Sequence, residues 1–413
     1  NIHYTDDLAL IPSPILEQPS QTLIVYTPAI PAQHQELSYF KENSAFTLLK
    51  RSQVLGLIAN EHKQIAVAGT HGKTTTSSMV AHILAYLQQP VTAFLGGITQ
   101  NYGTNLLLSN APIEQTIVVA EADEFDRSFL TLHPNTAIIT SVDADHLDIY
   151  HNHQYLLDSF SAFAAQIKTG GTLILKGKLD FNYSLQEGVQ VITYGSENAN
   201  LQALNLRVEG TRFVFEAVLN GETLCTIALA MPGHHNVENA LAALAACMQY
   251  GYSATAIAEA LYHFKGVRRR FEYQFQEEKL VYIDDYAHHP AEITACLQSL
   301  RTLYPGRAIK AIFQPHLFSR TADFAEGFSQ SLSLADEVIL LPIYPARELP
   351  REGVNSQMLI PAITQPVQLV EKDDLLKNIA PKAGDVWVTL GAGDIDAFVQ
   401  PIKNAFFEHY KQL

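Results

Sequence analysis

Apolar residues fall in short runs that alternate with stretches of helical period through most of the chain. From Gln64 the pattern reads as a strand over residues 65–68, a glycine-containing turn, and a helix over residues 73–87, where apolar positions recur every three or four residues. Buried-strand candidates follow at residues 116–120, 137–140 and 172–175. Strands separated by helices predict a parallel sheet covered on both faces, an α/β fold.

The rhythm breaks over residues 201–230. Phe213, Phe215 and Val218 alternate ahead of Asn220-Gly221, which predicts an antiparallel hairpin, and Pro232-Gly233 then leads into a helix over residues 237–248. A second strand-helix series begins after Phe271, with strands expected at residues 280–283, 309–313, 338–342 and 386–390 and a helix at residues 290–300. Residues 1–60, with short apolar runs and breaks at Pro28 and Pro31, read as the tail of a small α/β unit. The expected domains are therefore residues 1–60, 61–272 and 273–413, with no repeat of solenoid length.

Composition narrows the function. The 413 residues are 47% hydrophobic, enough for two or three cores, and the net charge of -15 disfavours extended nucleic-acid binding. Cys225, Cys247 and Cys296 are widely spaced and lack metal-ligand spacing. No run is long and apolar enough for a membrane span, and no signal segment opens the chain, so a cytoplasmic protein without membrane insertion is expected. The first residue is Asn1, which predicts a leading segment upstream.

The candidate chemistry starts between the first strand and its helix. Gly69-Thr70-His71-Gly72-Lys73-Thr74-Thr75 lies where a phosphate-binding loop must lie. Its glycines let backbone N–H groups approach phosphate oxygens, Lys73 supplies a cation, and the Thr74 hydroxyl suits Mg²⁺. The strict G-x-x-x-x-G-K-[ST] pattern fails at its first position, Val67, with the glycine at Gly69 instead. A plain strand-to-helix turn is the alternative.

Carboxylates follow the next two strands. Glu121, in Glu121-Ala122-Asp123-Glu124, is the expected metal ligand, and His146, after Asp143-Ala144-Asp145, is expected to hold a second metal. Glu124, Asp126, Asp143 and Asp148 are read as surface or capping groups.

In order and spacing, the loop, the two acid segments, Gly233-His234-His235-Asn236-Val237-Glu238-Asn239 and Arg268-Arg269-Arg270-Phe271 resemble the Mur ligase family. Asp284-Asp285-Tyr286-Ala287-His288-His289-Pro290, Phe313-Gln314-Pro315-His316 with Arg320-Thr321, and Gly391-Ala392-Gly393-Asp394 are similar to its alanine-adding members. The resemblance covers nearly the whole chain. It implies three α/β domains: a truncated N-terminal Rossmann-like UDP-binding domain, a central ATPase and a C-terminal Rossmann-like lid. The family's glycine-rich UDP-binding loop is then expected before residue 1.

The activity implied is ADP-forming ligation of L-alanine to the lactyl carboxylate of UDP-N-acetylmuramate through an acyl phosphate, in peptidoglycan synthesis, by a monomer or weak homo-oligomer. Cations then matter more than a covalent nucleophile, because negative charge gathers in both steps. Lys73 and Arg270 face the phosphates, with ATP held by Gly69, Thr70, His71, Gly72, Thr74 and Thr75. Asn236 and Asn239 contact adenine, and Tyr286 stacks on it. Asn236 as a helix cap, and Arg268 and Arg269 as a solvated basic patch, are the alternatives. His288 is the candidate base for the incoming amine, or else His288 and His289 only order a loop. One departure is Leu317, where many alanine-adding members carry an arginine, which leaves carboxylate recognition to Arg320 and His288. A ligase that attaches an intact tripeptide, another amide ligase of the family, and a non-catalytic nucleotide-binding module are the competing readings.

Overall fold

The computed structural model describes residues 4–411 apart from Ala29, Ala32, Asp145, His146, His151, Ser196 and Arg347, and apart from the side chains of Leu147 and Asp148. The chain forms two compact units, one of residues 1–73, 88–95 and 106–193, the other of residues 74–87, 96–105 and 194–413.

In the first unit, β1 (Leu23–Tyr26) and β2 (Thr47–Lys50) form a parallel pair. β3 (Lys63–Ala68) lies between β6 (Ile117–Ala122) and β7 (Thr136–Ile139), with β4 (Val91–Thr99) beyond β6 and β8 (Thr172–Lys176) beyond β7. All of these pairs are parallel, as the alternation of runs predicts. β5 (Thr104–Leu107), which periodicity did not reveal, follows β4. Ile65, Ala66, Val67 and Ala68 of β3 are all fully buried, so both faces of this strand are apolar and covered. Phe129, Phe160 and Phe163 fill the core on one side, the first stacked on the third at 5.0 Å and edge-on to the second at 5.3 Å.

In the second unit, the end of β9 (Gln190–Gly195) pairs with the start of β10 (Leu201–Glu209), which continues into an antiparallel meander with β11 (Arg212–Leu219) and β12 (Glu222–Leu229). The β11–β12 turn is the expected one, with Asn220 and Gly221 both at positive φ. A six-stranded sheet follows, ordered β13 (Glu272–Glu277), β14 (Leu280–Asp285), β18 (Val386–Leu390), β15 (Ile309–Phe313), β16 (Glu337–Leu340) and β17 (Val367–Leu369). Only β13 runs antiparallel. This strand, with alternating polar residues and an early edge position, falls outside the expected strand-helix alternation. Apolar clusters cover both faces of the sheet. The loops after β14, β15 and β18 emerge at its C-terminal edge, the side on which open α/β sheets bind ligands.

Candidate active site

The phosphate loop is shaped by the segment after β7. Gly69 has φ 135° and Gly72 φ 83°, and a Cβ on Gly69 would lie 2.1 Å from Thr140 Oγ1. Only glycine fits there. Thr140 Oγ1 donates to the carbonyls of Ala68 (3.1 Å) and His71 (2.5 Å), Ser141 Oγ accepts from His71 N at 2.7 Å, and Thr70 N donates to Ser141 O at 3.2 Å. Thr70 Oγ1 meets Ser141 Oγ at 2.9 Å and accepts from Asp143 N at 3.1 Å. Sequence reasoning missed Thr140 and Ser141, because two hydroxyl residues after a strand carry no spacing signature.

Lys73 opens the helix Lys73–Tyr86, of which Thr74, Thr75 and the nine residues after them are all buried. Its Nζ donates to Gly69 O at 2.6 Å and to both carboxylate oxygens of Glu124 at 2.9 and 2.7 Å. Burial alone would lower the ammonium pKa, but Glu124, Asp123 and Glu121 together raise it above its ordinary value, so the cation is retained.

Glu121, at the end of β6 in register with Val67, is partly buried. Glu124 corrects the reading of it as a surface or capping group: it is 0% exposed, and its carboxylate is the counter-ion of Lys73. The short turn after β6 folds the acid inward, which sequence spacing alone does not encode. Asp126 pairs with Lys50 at 2.6 Å, and the exposed Asp143 lies 3.8 Å from His71. His146 lies outside the described residues, as does the side chain of Asp148.

In the second unit the helix His234–Met248 begins three residues earlier than expected, because Gly233, at φ 102°, takes the N-cap position. Asn236 is therefore inside the helix and is not its cap. Its Nδ2 donates to Pro232 O at 2.7 Å and its Oδ1 accepts from Asn239 Nδ2 at 3.2 Å, so the two buried amides stand side by side as the three-residue step predicts.

Arg269 corrects the expectation of a solvated basic patch. At φ 57° it turns inward, and its guanidinium donates to Asp284 Oδ2 at 3.0 Å and Gly391 O at 2.7 Å, while Arg268 stays exposed. Arg269 and Arg270 lie 5.2 and 5.1 Å from the centre of the Tyr286 ring. Asp285 accepts from Phe271 N (2.7 Å) and Ala287 N (2.8 Å), and burial pushes its carboxyl up to about 6 against the pull of Arg270 and these donors.

His288 Nδ1 lies 3.0 Å from Tyr286 O, a contact that puts the ring proton on Nδ1 and the lone pair on Nε2. Burial holds its pKa down near 4, with Arg320 and Arg270 adding to the fall and Glu292 opposing it. The imidazole is neutral at pH 7, better suited in this form to accepting a hydrogen bond from an ammonium than to keeping its proton. His289 caps the helix Pro290–Leu303, accepting from Ala291 N at 3.3 Å. Arg320 sits on the short helix Phe318–Asp323, entered through Leu317 at φ 67°. His316, which sequence reasoning placed only within a motif, stacks on Tyr344 at 5.7 Å and approaches His288 at 6.2 Å.

Comparison with known proteins gives the family. The Mur ligase middle domain matches residues 67–247, and the Mur ligase glutamate ligase domain matches residues 269–393. The UDP-N-acetylmuramate–L-alanine ligase of Flavobacterium johnsoniae is 48% identical over 99% of this chain and 88% of its own length. That of Cytophaga hutchinsonii is 48% identical over 97% and 86%. The crystal structure of UDP-N-acetylmuramate-alanine ligase from Thermotoga maritima superposes with TM-score 0.78 at 29% identity, over 94% of this chain and 85% of that one. With two family domains that together span most of its length, the chain belongs to the Mur ligase family.

Proposed function

We propose that the protein ligates L-alanine to the lactyl carboxylate of UDP-N-acetylmuramate, converting ATP to ADP and phosphate, in peptidoglycan synthesis. The observation that carries this reading is the near full-length likeness, at 48% identity, to ligases named for that reaction. The domains proposed are residues 1–60, which belong to a UDP-binding domain, 61–272, which bind ATP, and 273–413, which bind the amino acid. The enzyme acts in the cytoplasm as a monomer or weak homo-oligomer, and no helix among the described residues is long and apolar enough to cross a membrane.

The lactyl carboxylate attacks the γ-phosphate, ADP leaves, and the alanine amine displaces phosphate from the acyl phosphate. Gly69, Thr70, His71, Gly72, Thr74 and Thr75 form the loop around the phosphates, and the Lys73 ammonium offsets the charge that gathers on the transferring group. Arg270 adds a second cation. The Thr74 hydroxyl and the Glu121 carboxylate are oxygen donors, the class a magnesium ion takes, so they fit that cofactor, and His146 would hold a second metal. When bound, the ion draws charge from the phosphoryl oxygens. Asn236, Asn239 and Tyr286 hold the adenine. Arg320 takes the alanine carboxylate, and His288 accepts a hydrogen bond from the alanine nitrogen through Nε2 and orients it, the ammonium proton passing to solvent before the free amine attacks.

Phosphate release from ATP with Mg²⁺ and UDP-N-acetylmuramate, with L-alanine or the tripeptide in parallel, tests the reading. Release with alanine that disappears in Lys73→Ala is expected. Release with the tripeptide alone reassigns the acceptor, and no release with either leaves a nucleotide-binding module.

A further inference from the structure

Glu124 has no part in the chemistry above, yet it is the most enclosed acid of the 121–124 cluster. Its two oxygens and Gly69 O together accept from Lys73 Nζ, at 2.9, 2.7 and 2.6 Å. An ammonium has three protons to donate, so all three are committed inside the loop. A phosphate oxygen can be met only if one acceptor lets go. Gly69 O belongs to a backbone bend locked against Thr140 and Ser141, whereas Glu124 holds the lysine twice and can release one bond while keeping the other. Complete withdrawal of Lys73 would strand a carboxylate sealed from water, which is strongly unfavourable.

The segment behind Glu124 is built to hold it. Asp126 and Arg127 have φ 51° and 54°, a left-handed pair that non-glycine residues adopt only when surrounding contacts enforce it. Lys50 grips Asp126 at 2.6 Å, Arg127 lies 5.8 Å from the centre of the Tyr150 ring, and the buried Tyr150 hydroxyl donates to Glu124 O at 2.5 Å. The backbone of Glu124 is thus held by Tyr150 and by the segment that follows it.

We propose that Glu124 is the positioning residue of the phosphate loop. It holds Lys73 against Gly69 O in the absence of nucleotide and gives up one of its two hydrogen bonds, so that the freed proton points at an incoming phosphate. This rests on the ATP-dependent reading above.

The test is equilibrium binding of a fluorescent ADP analogue, with steady-state ATP kinetics, for the full chain and for Glu124→Ala, Glu124→Gln, Glu124→Asp and Lys73→Met, with melting curves to establish folding. Loss of a charged hydrogen-bond partner is expected to raise Kd and the KM for ATP about tenfold in Glu124→Ala, with a smaller fall in kcat. Glu124→Gln, which keeps one acceptor in place, recovers part of that loss. In the Lys73→Met background Glu124→Gln leaves Kd unchanged, because the effect passes through the lysine. Variants that melt lower yet bind and turn over ATP within about twofold of wild type overturn the inference and leave a structural ion pair. If Glu124→Ala fails to fold, the Gln and Asp variants decide by the same criterion. Absence of binding by the wild type overturns the ATP reading and this inference with it, whereas wild-type binding with unaltered variants overturns this inference alone.

Discussion

Arg269 Nε donates to Asp284 Oδ2 at 3.0 Å, and Asp284 is 1% exposed. The other carboxylate oxygen accepts from Thr389 Oγ1 at 2.6 Å, so the acid has a partner on each side, and Arg269 reaches on to Gly391 O. The ion pair ties the turn before β13 to the ends of β14 and β18. Burial raises the Asp284 pKa despite Arg269, as expected for a carboxylate held far from water.

Arg269→Ala leaves that carboxylate without its counter-ion and is expected to destabilise the protein by about 3 kcal/mol. Arg269→Ala/Asp284→Asn is expected to recover part of this, since the stranded charge is gone. Urea unfolding of the two variants checks both statements, and equal losses would show that packing, not charge, dominates.

Asp285 and His288 give opposing pH dependences. The Asp285 pKa is raised from 3.8 to about 6, so the folded state binds more protons than the unfolded chain between these values and stability falls as pH rises. The His288 pKa is lowered from 6.5 to about 4, so there the unfolded chain binds more protons and stability rises with pH. Each effect reaches about 3 kcal/mol at most, and they largely cancel between pH 4 and 6. His288→Gln removes one of the two, and its stability is expected to fall across that range relative to wild type. Thermal melts at half-unit steps of pH read this directly.

Gly393→Ala places a Cβ 2.4 Å from Gln314 Oε1 and 2.6 Å from Tyr344 Cβ. Gln314 cannot yield freely, because its amide accepts from Ile395 N at 2.9 Å and donates to Asp394 Oδ1 at 2.7 Å. The loss is expected to be about 2 kcal/mol, with a raised KM for the amino acid. Gly170→Ala, with open space around its Cβ position, is the control for the left-handed backbone alone and should cost about 1 kcal/mol with unaltered KM.

Asn236 and Asn239 should separate by assay. Asn236→Ala removes the donor to Pro232 O in a buried setting and is expected to lower stability by about 1 to 2 kcal/mol as well as ATP affinity. Asn239→Ala removes a side-chain contact to Asn236 alone, and its expected effect is mainly a raised KM for ATP. Denaturation and kinetics on both variants check the split.

The sequence by itself determined the parallel α/β architecture, because strands covered on both faces must be largely apolar, as residues 65–68 are throughout and residues 309–313 are apart from Lys310. It also marked where a phosphate loop is expected, since Gly69, Gly72 and Lys73 are local requirements of a strand-to-helix turn that meets an anion. Asn236 and Asn239 were legible as neighbours from the helical period alone. Tertiary structure decided which charges are buried. Glu124 and Arg269 read as solvated because a charge seeks water unless a distant partner meets it, and those partners, Lys73 and Asp284, lie 51 and 15 residues away. The hydroxyls of Thr140 and Ser141 were unreadable for the same reason: their role is to hold a loop about 70 residues earlier in the chain, a contact that exists only after β3 and β7 pair.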